Sequence, residues 1–217
     1  RVMEQAVLNI KLSNDTNKFR VDSDGRTICL GRFKYERNVD EDVRLDLKAA
    51  NPEAAIDHGE IYRKFEQWGY RFGASMKSIV RIWDNHDHFL AMVSPTSQEE
   101  GGITKLSPFV LDGIFQSALY AANLVKPVMG DEYLCVSHSI EAFFIPDKLD
   151  STCFVHIKKD NLAMEAGKHV LCTISVFDES GREITEIKNI RFAIVKSEFI
   201  HNKDKNIPAV EANDTDV

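Results

Sequence analysis

Two polar residues, Asp112 and Gln116, stand inside a long apolar segment of the chain. Their i, i+4 spacing places both side chains on the same face of a helix. A carboxyl group in apolar surroundings resists ionisation, which raises its pKa and makes it a candidate general acid near neutral pH. The Gln116 amide, one helical turn away, is able to hydrogen-bond either this carboxyl or a substrate oxygen. The spacing leaves open the alternative that Asp112 is a satisfied buried polar residue without a chemical role.

Two other groups of residues invite a chemical interpretation. The segment 84–88 contains two aspartates and two histidines, which suggests metal ligands, but a polar hairpin turn explains it better and no metal is expected. Cys135 and His138 suggest a nucleophile and its base. Residues three apart in a strand point to opposite faces of a sheet, which argues against such a pair.

The segment that carries Asp112 has the features of a buried helix. Ser107 is a suitable N-cap, and Pro108 fits the first helical position, where its missing N–H group is not needed. Residues 107–124 are apolar on all sides, which predicts a helix enclosed by other elements rather than lying on a surface. A second helix is predicted for residues 56–68, ending at Gly69 as its C-cap.

Alternating apolar and polar residues predict several antiparallel strands around these helices. The predicted strands are residues 7–12, 19–21, 27–35, 76–83, 89–93, 134–144, 153–157, 169–177 and 184–195. Long antiparallel strands with one buried helix indicate an α+β protein. A curved antiparallel sheet around a central buried helix is the hot-dog fold, which is the fold predicted here.

Composition limits the classes of function. The chain has 217 residues, a net charge of -7 and a pI of about 5.5, so no basic face for nucleic acid is expected. No apolar run is long enough to span a membrane, and no signal peptide is apparent. The four cysteines form no C-x-x-C pair and lie in apolar runs, which predicts buried free thiols and a cytoplasmic protein.

Three segments, in order, resemble the dehydratase domains of polyketide synthases and of the related animal fatty acid synthases. L-S-P-F-V-L-D-G-I-F-Q at residues 106–116 is similar to their H-P-x-x-x-D-x-x-x-Q segment. G-Y-R-F-G-A-S-M at residues 69–76 is similar to G-Y-x-Y-G-P-x-F, and Y-L-C-V-S-H-S-I at residues 133–140 stands where the family often has L-P-F-S. The resemblance covers residues 7–197, and the motifs are mainly those of the C-terminal hot-dog half.

This resemblance implies a double hot-dog fold in which two units share one active site. The second unit supplies the acid, here Asp112 with Gln116 beside it, and the first supplies a histidine that removes the α-proton. The implied substrate is a β-hydroxyacyl chain on the phosphopantetheine arm of an acyl carrier protein, with no cofactor bound by the chain itself. Substrate-binding positions implied in this way are Tyr70, Phe72, Gly73 and Pro108.

The chain departs from the family pattern in several places. No H-x-x-x-G-x-x-x-x-P motif, which carries the catalytic histidine, is present in the sequence. Ser107 replaces the histidine before proline, and residues 74, 76, 135 and 136 also differ from the pattern. The missing motif predicts that the chain is incomplete as a dehydratase. It also leaves open an enoyl-isomerase, a cyclising relative, or a non-catalytic remnant with a structural or docking role.

The resemblance also divides the chain. Residues 1–35 are expected to be the closing strands of an N-terminal hot-dog unit, 36–55 a linker, 56–197 the C-terminal unit and 198–217 a disordered tail. The expected partners are the acyl carrier protein, other synthase domains, the N-terminal hot-dog half and, as a homodimer, a second copy of the domain.

Overall fold

The computed structural model describes residues 8–13, 17–23, 26–33, 43–47, 55–95, 106–125, 132–146 and 148–197. The chain divides into two compact units, residues 1–38 and residues 39–217, and each is described by itself. The predicted tail at 198–217 and most of the predicted linker at 36–55 lie outside the described residues. The domain boundaries proposed from sequence therefore remain predictions.

The first unit is a three-stranded antiparallel sheet of β1 (Leu8–Ser13), β2 (Lys18–Ser23) and β3 (Arg26–Arg32), with β2 in the centre. The predicted strand 27–35 ends earlier than expected, at Arg32. Cys29 in β3 is exposed, so the prediction that all four cysteines are buried is wrong for this one. Among the described residues of this unit, no second layer covers the sheet, so the thiol is left exposed.

The second unit contains one nine-stranded antiparallel sheet. Seven strands follow one another across it, and two short strands pair at its side. In spatial order the seven are β4 (Ala55–Asp57), β5 (Ile79–Asp84), β6 (His88–Val93), β9 (Cys153–Lys158), β11 (His169–Phe177), β12 (Glu183–Lys196) and β7 (Tyr133–Ser139). The short ones are β8 (Ala142–Phe143) and β10 (Ala163–Glu165).

The first helix, α1, covers His58–Gln67. The predicted start at residue 56 is wrong, because residues 55–57 form β4 and Ile56 pairs with Ile82 of β5. Asp57 ends the strand and caps the helix, accepting a hydrogen bond from the Glu60 N–H at 2.9 Å. At the other end Gly69 adopts a φ of +97°, which glycine tolerates best and which agrees with its predicted place after the helix.

The second helix, α2, covers Pro108–Val125 and occupies the centre of this unit. It contacts β5, β6, β7, β9 and β11, so the sheet wraps around it. Its side chains join one hydrophobic core with the inward-facing residues of the strands, as its apolar composition predicts. Residues at 0 % exposure include Val110, Ile114, Ala118 and Ala122 from the helix and Val155, Ile174, Ile190 and Phe192 from the sheet.

Part of the predicted linker belongs to the second unit and pairs with one of its turns. Arg44 forms an isolated bridge with Arg182, and the Leu45 N–H donates to the Gly181 carbonyl at 2.8 Å. The segment 43–47 therefore lies along the turn between β11 and β12. Among the described residues, no helix combines the length and the apolar character needed to cross a membrane.

Candidate active site

The N-terminus of α2 fixes the position of Asp112 in its second turn. The Ser107 hydroxyl accepts a hydrogen bond from the Val110 N–H at 3.4 Å, which confirms Ser107 as the N-cap. The Ser107 N–H donates to the Leu149 carbonyl at 2.7 Å and so ties the helix start to a neighbouring segment. Pro108 is exposed and begins the helix, where it needs no N–H acceptor.

The close approach of α2 to the sheet depends on Gly113, the neighbour of Asp112. A Cβ atom at Gly113 would lie 2.2 Å from Ser78 Oγ and 2.7 Å from Val93 Cγ1. The Ser78 hydroxyl in turn donates to the Phe109 carbonyl in the first turn of α2, at 2.8 Å. The helix therefore lies directly against the start of β5 and the end of β6. Asp112 is the residue before this contact point.

Asp112 and Gln116 interact as their spacing predicts. The Gln116 side-chain amide donates a hydrogen bond to Asp112 Oδ2. Gln116 is 2 % exposed, and its Nε2 group also donates to the Met76 carbonyl at 2.8 Å. Its Oε1 atom accepts a hydrogen bond from the Tyr62 hydroxyl at 2.8 Å. Both amide protons are thus engaged within the protein, which favours orientation of the carboxyl over contact with a substrate oxygen.

Asp112 itself is only partly buried. Burial raises the pKa of Asp112 above its ordinary value, and the hydrogen bond from Gln116 lowers the pKa in part. The balance favours the protonated carboxylic acid more than in a solvent-exposed aspartate. Among the described residues, the Gln116 amide is the group that hydrogen-bonds to this carboxyl, at one oxygen. The arrangement holds a carboxyl group of raised pKa in a fixed orientation.

Tyr70 and Phe72 lie beside the helix but their side chains are engaged in the protein. The Tyr70 hydroxyl accepts a hydrogen bond from the Cys135 N–H at 2.8 Å and lies within hydrogen-bonding distance of Asn123 on α2. Burial raises the pKa of Tyr70, so this hydroxyl stays protonated. The Phe72 ring packs on Phe65 with ring centres 5.1 Å apart. These contacts connect α1, α2 and β7, and a role of either residue in substrate binding remains a prediction.

Gly73 precedes a 3-10 turn, Ala74–Met76, where the sequence had predicted the start of a strand. The Met76 N–H donates to the Gly73 carbonyl at 3.0 Å, which closes this turn. The turn leaves the Met76 carbonyl facing the Gln116 amide. Gly73 therefore lies close to the site through the backbone of the turn, and its predicted contact with substrate is a proposal.

Tyr62 is the one residue of this network that the sequence analysis did not single out. It lies in α1, is 3 % exposed, and joins the Gln116 amide to the backbone N–H of Ile79. A buried tyrosine needs a polar partner for its hydroxyl, and this requirement was the available signal. The partner could not be named from sequence because it lies 54 residues further along the chain.

The alternative sites are not assembled as catalytic centres. In the part of the chain that the structure describes, no three His, Cys, Asp or Glu side chains come together as metal ligands. In the segment 84–88, His88 pairs with the adjacent Asp87 at 2.7 Å and contacts the His156 ring. Cys135 is buried whereas His138 is exposed, and the His138 ring lies beside the His169 ring, with ring centres 5.3 Å apart.

Comparison with known families gives one match over most of the chain. Residues 40–198 match the family described as the polyketide synthase dehydratase N-terminal domain. That description names an N-terminal domain, whereas the motifs quoted above resemble the acid-bearing C-terminal unit, so the assignment to that half remains a prediction. Among curated proteins, none matches the chain.

Solved structures of dehydratase domains are similar to this one in fold. The dehydratase domain from the CurJ module of curacin polyketide synthase is 17% identical, with a TM-score of 0.66, over 88% of this chain and 68% of the other. A monomeric dehydratase domain from a trans-AT polyketide synthase split module is 19% identical, with a TM-score of 0.63, over 88% and 77%. An N-terminal dehydratase from the difficidin assembly line is 15% identical, with a TM-score of 0.66, over 89% and 71%. The predicted α+β hot-dog fold is confirmed.

Proposed function

The chain belongs to the polyketide synthase dehydratase family, and we propose that it forms the acid-bearing part of an enzyme that removes water from a β-hydroxyacyl thioester. The product is the α,β-unsaturated acyl thioester. The substrate is carried on the phosphopantetheine arm of an acyl carrier protein, and the chain binds no cofactor of its own. The proposal rests on one observation above all, the partly buried Asp112 carboxyl oriented by Gln116.

The chemistry assigned to Asp112 is general acid catalysis. A base removes the proton from the α-carbon, and the electron pair left behind forms the double bond between the α- and β-carbons. The bond between the β-carbon and its hydroxyl oxygen breaks as the Asp112 carboxyl transfers its proton to that oxygen. Water leaves, the base holds the α-proton and Asp112 is left as a carboxylate, so one proton must pass back to Asp112 before the next turnover.

The base is proposed to come from the N-terminal hot-dog half, because the chain has no H-x-x-x-G-x-x-x-x-P motif. The strands β1, β2 and β3 are proposed to be the closing strands of that half. Ile10 and Leu12 of β1 are 66% and 69% exposed within this structure, which suits a sheet that is completed by further elements. As part of the same proposal, the chain interacts with the acyl carrier protein, with other synthase domains and with a second copy of the domain.

A second candidate, a non-catalytic structural or docking domain, is favoured by the missing histidine motif alone. Asp112 argues against it. A carboxyl group loses hydration when it is partly buried, and a domain without chemistry gains nothing from this cost. The orienting bond from Gln116 would also have no purpose in a degenerate pocket.

A turnover assay tests the proposal. A β-hydroxyacyl thioester of an acyl carrier protein is incubated with a protein that contains this chain together with a histidine-bearing N-terminal half, and the acyl group is followed by mass spectrometry. We expect a loss of about 18 mass units, the mass of water, and no loss when Asp112 is replaced by Asn. The exposed Asp160, changed to Asn, is the matched control and is expected to keep full activity.

Each outcome decides between the candidates. Absence of water loss for every stereoisomer of the substrate would favour the non-catalytic domain. An isomerase would be favoured if the β-hydroxyacyl thioester loses no water but an α,β-unsaturated acyl thioester, supplied in its place, is converted to the isomer with a shifted double bond. If the Asp112→Asn variant turns over as fast as the unchanged protein, Asp112 is not the general acid.

A further inference from the structure

The hydroxyl of Tyr62 lies between two groups with opposite hydrogen-bonding requirements. It accepts a hydrogen bond from the Ile79 N–H at 3.0 Å and lies 2.8 Å from Gln116 Oε1. A phenol has one proton, and Gln116 Oε1 can only accept. The Tyr62 proton therefore points at Gln116 Oε1, and the backbone of β5 holds the phenol oxygen in place.

The Gln116 amide has one orientation that satisfies all its neighbours. The Met76 carbonyl can only accept, so it requires the Nε2 group, and the Tyr62 proton requires Oε1. A flipped amide would place Oε1 against the Met76 carbonyl oxygen and against Asp112 Oδ2. The second proton of Nε2 is consequently directed at Asp112 Oδ2.

This bond distinguishes the two oxygens of the Asp112 carboxyl. The oxygen that accepts from Gln116, Oδ2, serves as the carbonyl oxygen of the neutral acid. The acidic proton is then carried by Oδ1, the oxygen that Gln116 does not engage. An amide free to rotate would present its own oxygen to Oδ2 part of the time and would permit the proton on either oxygen.

We propose that Tyr62 is a positioning residue, which fixes the Gln116 amide so that Asp112 carries its transferable proton on Oδ1. The inference rests on the proposed function for the use of that proton, but the hydrogen-bond arrangement is measurable without turnover. Tyr62 itself touches no reacting atom. It is held by ring contacts with Phe65 and Phe72 at 5.9 and 6.1 Å between ring centres. Burial and the nearby Asp112 raise the pKa of Tyr62, so its hydroxyl remains a donor throughout the neutral range.

The first test measures the pKa of the Asp112 carboxyl in the full chain by 13C NMR with labelled aspartate. The Asp112→Asn variant identifies the signal. In Tyr62→Phe the Gln116 amide keeps its contact with the Met76 carbonyl but loses the contact that holds Oε1, so its orientation is less firmly fixed and its bond to the carboxylate weakens. We expect the pKa of Asp112 to rise by about one pH unit, the size of one hydrogen bond to a charged group.

The matched control is Tyr120→Phe. Tyr120 is as buried as Tyr62, at 1 % exposure, and its hydroxyl contacts Lys64 instead of Gln116. We expect no change in the Asp112 signal for this variant. An unchanged Asp112 pKa in Tyr62→Phe overturns the proposal. An equal rise of this pKa in Tyr120→Phe also overturns it, because a loosened core would then explain both effects.

A double-mutant cycle with Gln116→Ala tests the route of the effect. If Tyr62 acts through Gln116, adding Tyr62→Phe to the Gln116→Ala variant leaves the pKa of Asp112 where Gln116→Ala alone puts it. The same rise in both backgrounds contradicts the proposal. If Tyr62→Phe does not fold, 3-fluorotyrosine at position 62 keeps the shape and donates more strongly. It should lower the pKa of Asp112, and an unchanged pKa again contradicts the proposal.

These results are separable from the proposed function. Coupling between Tyr62 and the Asp112 pKa in a protein without turnover supports the positioning role and rejects the dehydratase. Turnover in a protein that shows no such coupling supports the dehydratase and rejects the positioning role.

Discussion

Replacement of Gly113 by Ala tests the close contact that sets the position of Asp112. The new Cβ would lie 2.2 Å from Ser78 Oγ and 2.7 Å from Val93 Cγ1, both shorter than any normal contact. Neither neighbour moves easily. Ser78 is 1 % exposed and its hydroxyl is bonded to the Phe109 carbonyl, and Val93 is at 0 % exposure in the core. The helix α2 must therefore shift away from the sheet.

The magnitude follows from two opposing effects. Overpacking a core by one methyl group costs about 1–3 kcal/mol, whereas alanine in place of glycine in a helix gains about 0.5–1 kcal/mol. We expect the free energy of unfolding to fall by up to about 2.5 kcal/mol. The rate of turnover should fall by about 100-fold, because a misplacement of about 1 Å at a reacting group has an effect of that size.

Urea unfolding of the full chain measures this effect, with Gly59→Ala in α1 as the matched control. A Cβ at Gly59 would meet only Asp57 Oδ1, at 3.4 Å, so this variant should be as stable as the parent or more so. In a Ser78→Ala background, which removes the nearest atom, Gly113→Ala should cost less. If Gly113→Ala is as stable as Gly59→Ala, the close contact at Gly113 does not exist. The conclusion that this contact sets the distance between α2 and the sheet would then be wrong.

Three further predictions concern titration and thiol reactivity. Because the folded pKa of Asp112 is raised, the parent loses stability as pH rises above about 4, the unfolded pKa, and Asp112→Asn should become relatively more stable over that range in thermal unfolding. Burial, with the charges of His88 and Lys158, lowers the pKa of His156 to about 4. The parent should therefore lose stability as pH falls from about 6.5 to about 4, and an equally steep curve for His156→Gln would contradict this assignment. Iodoacetamide should label Cys29 rapidly in the native protein, as detected by mass spectrometry. The other thiols should react only after unfolding, namely Cys135, Cys153 and Cys172, of which the last two have a pKa raised by burial to about 12.

Local signals in the sequence were sufficient for most elements of the second unit. Ser107 and Pro108 mark the start of α2, and its continuous apolar composition predicts a buried helix. The start of α1 was placed too early because Ile56 fits a helical period as well as a strand. Asp57 with Glu60 three residues later is a cap signal, and it identifies the true start. The short strands β8 and β10 have two and three residues and no period to detect.

The candidate site could be predicted only as far as it is local. Asp112 and Gln116 share one helix, so their spacing is enough to predict the bond between them. The Met76 carbonyl and the Tyr62 hydroxyl reach Gln116 from 40 and 54 residues away in sequence. Their positions depend on the packing of α1 and of the 3-10 turn against α2, which no local pattern contains.

The polar residues of α2 show why Asp112 is the one proposed to act as an acid. Ser117 and Asn123 are buried, and each donates to a carbonyl one turn earlier in the helix, at 2.8 Å, so the fold itself satisfies them. Gln116 is satisfied by the Tyr62 hydroxyl of α1, by the Met76 carbonyl of the 3-10 turn, and by Asp112 one turn earlier in its own helix. Asp112 differs because it is partly exposed and ionisable, and because its bonded neighbour is itself held rigidly.

Such an arrangement does not favour stability. Partial burial disfavours the carboxylate, and one hydrogen bond from a neutral amide offsets only part of that loss. An apolar residue at position 112 would fit the surrounding helix without either effect. A carboxyl of raised pKa beside a firmly held amide is suited to general acid catalysis, and this supports the proposed acid at position 112 over a structural aspartate.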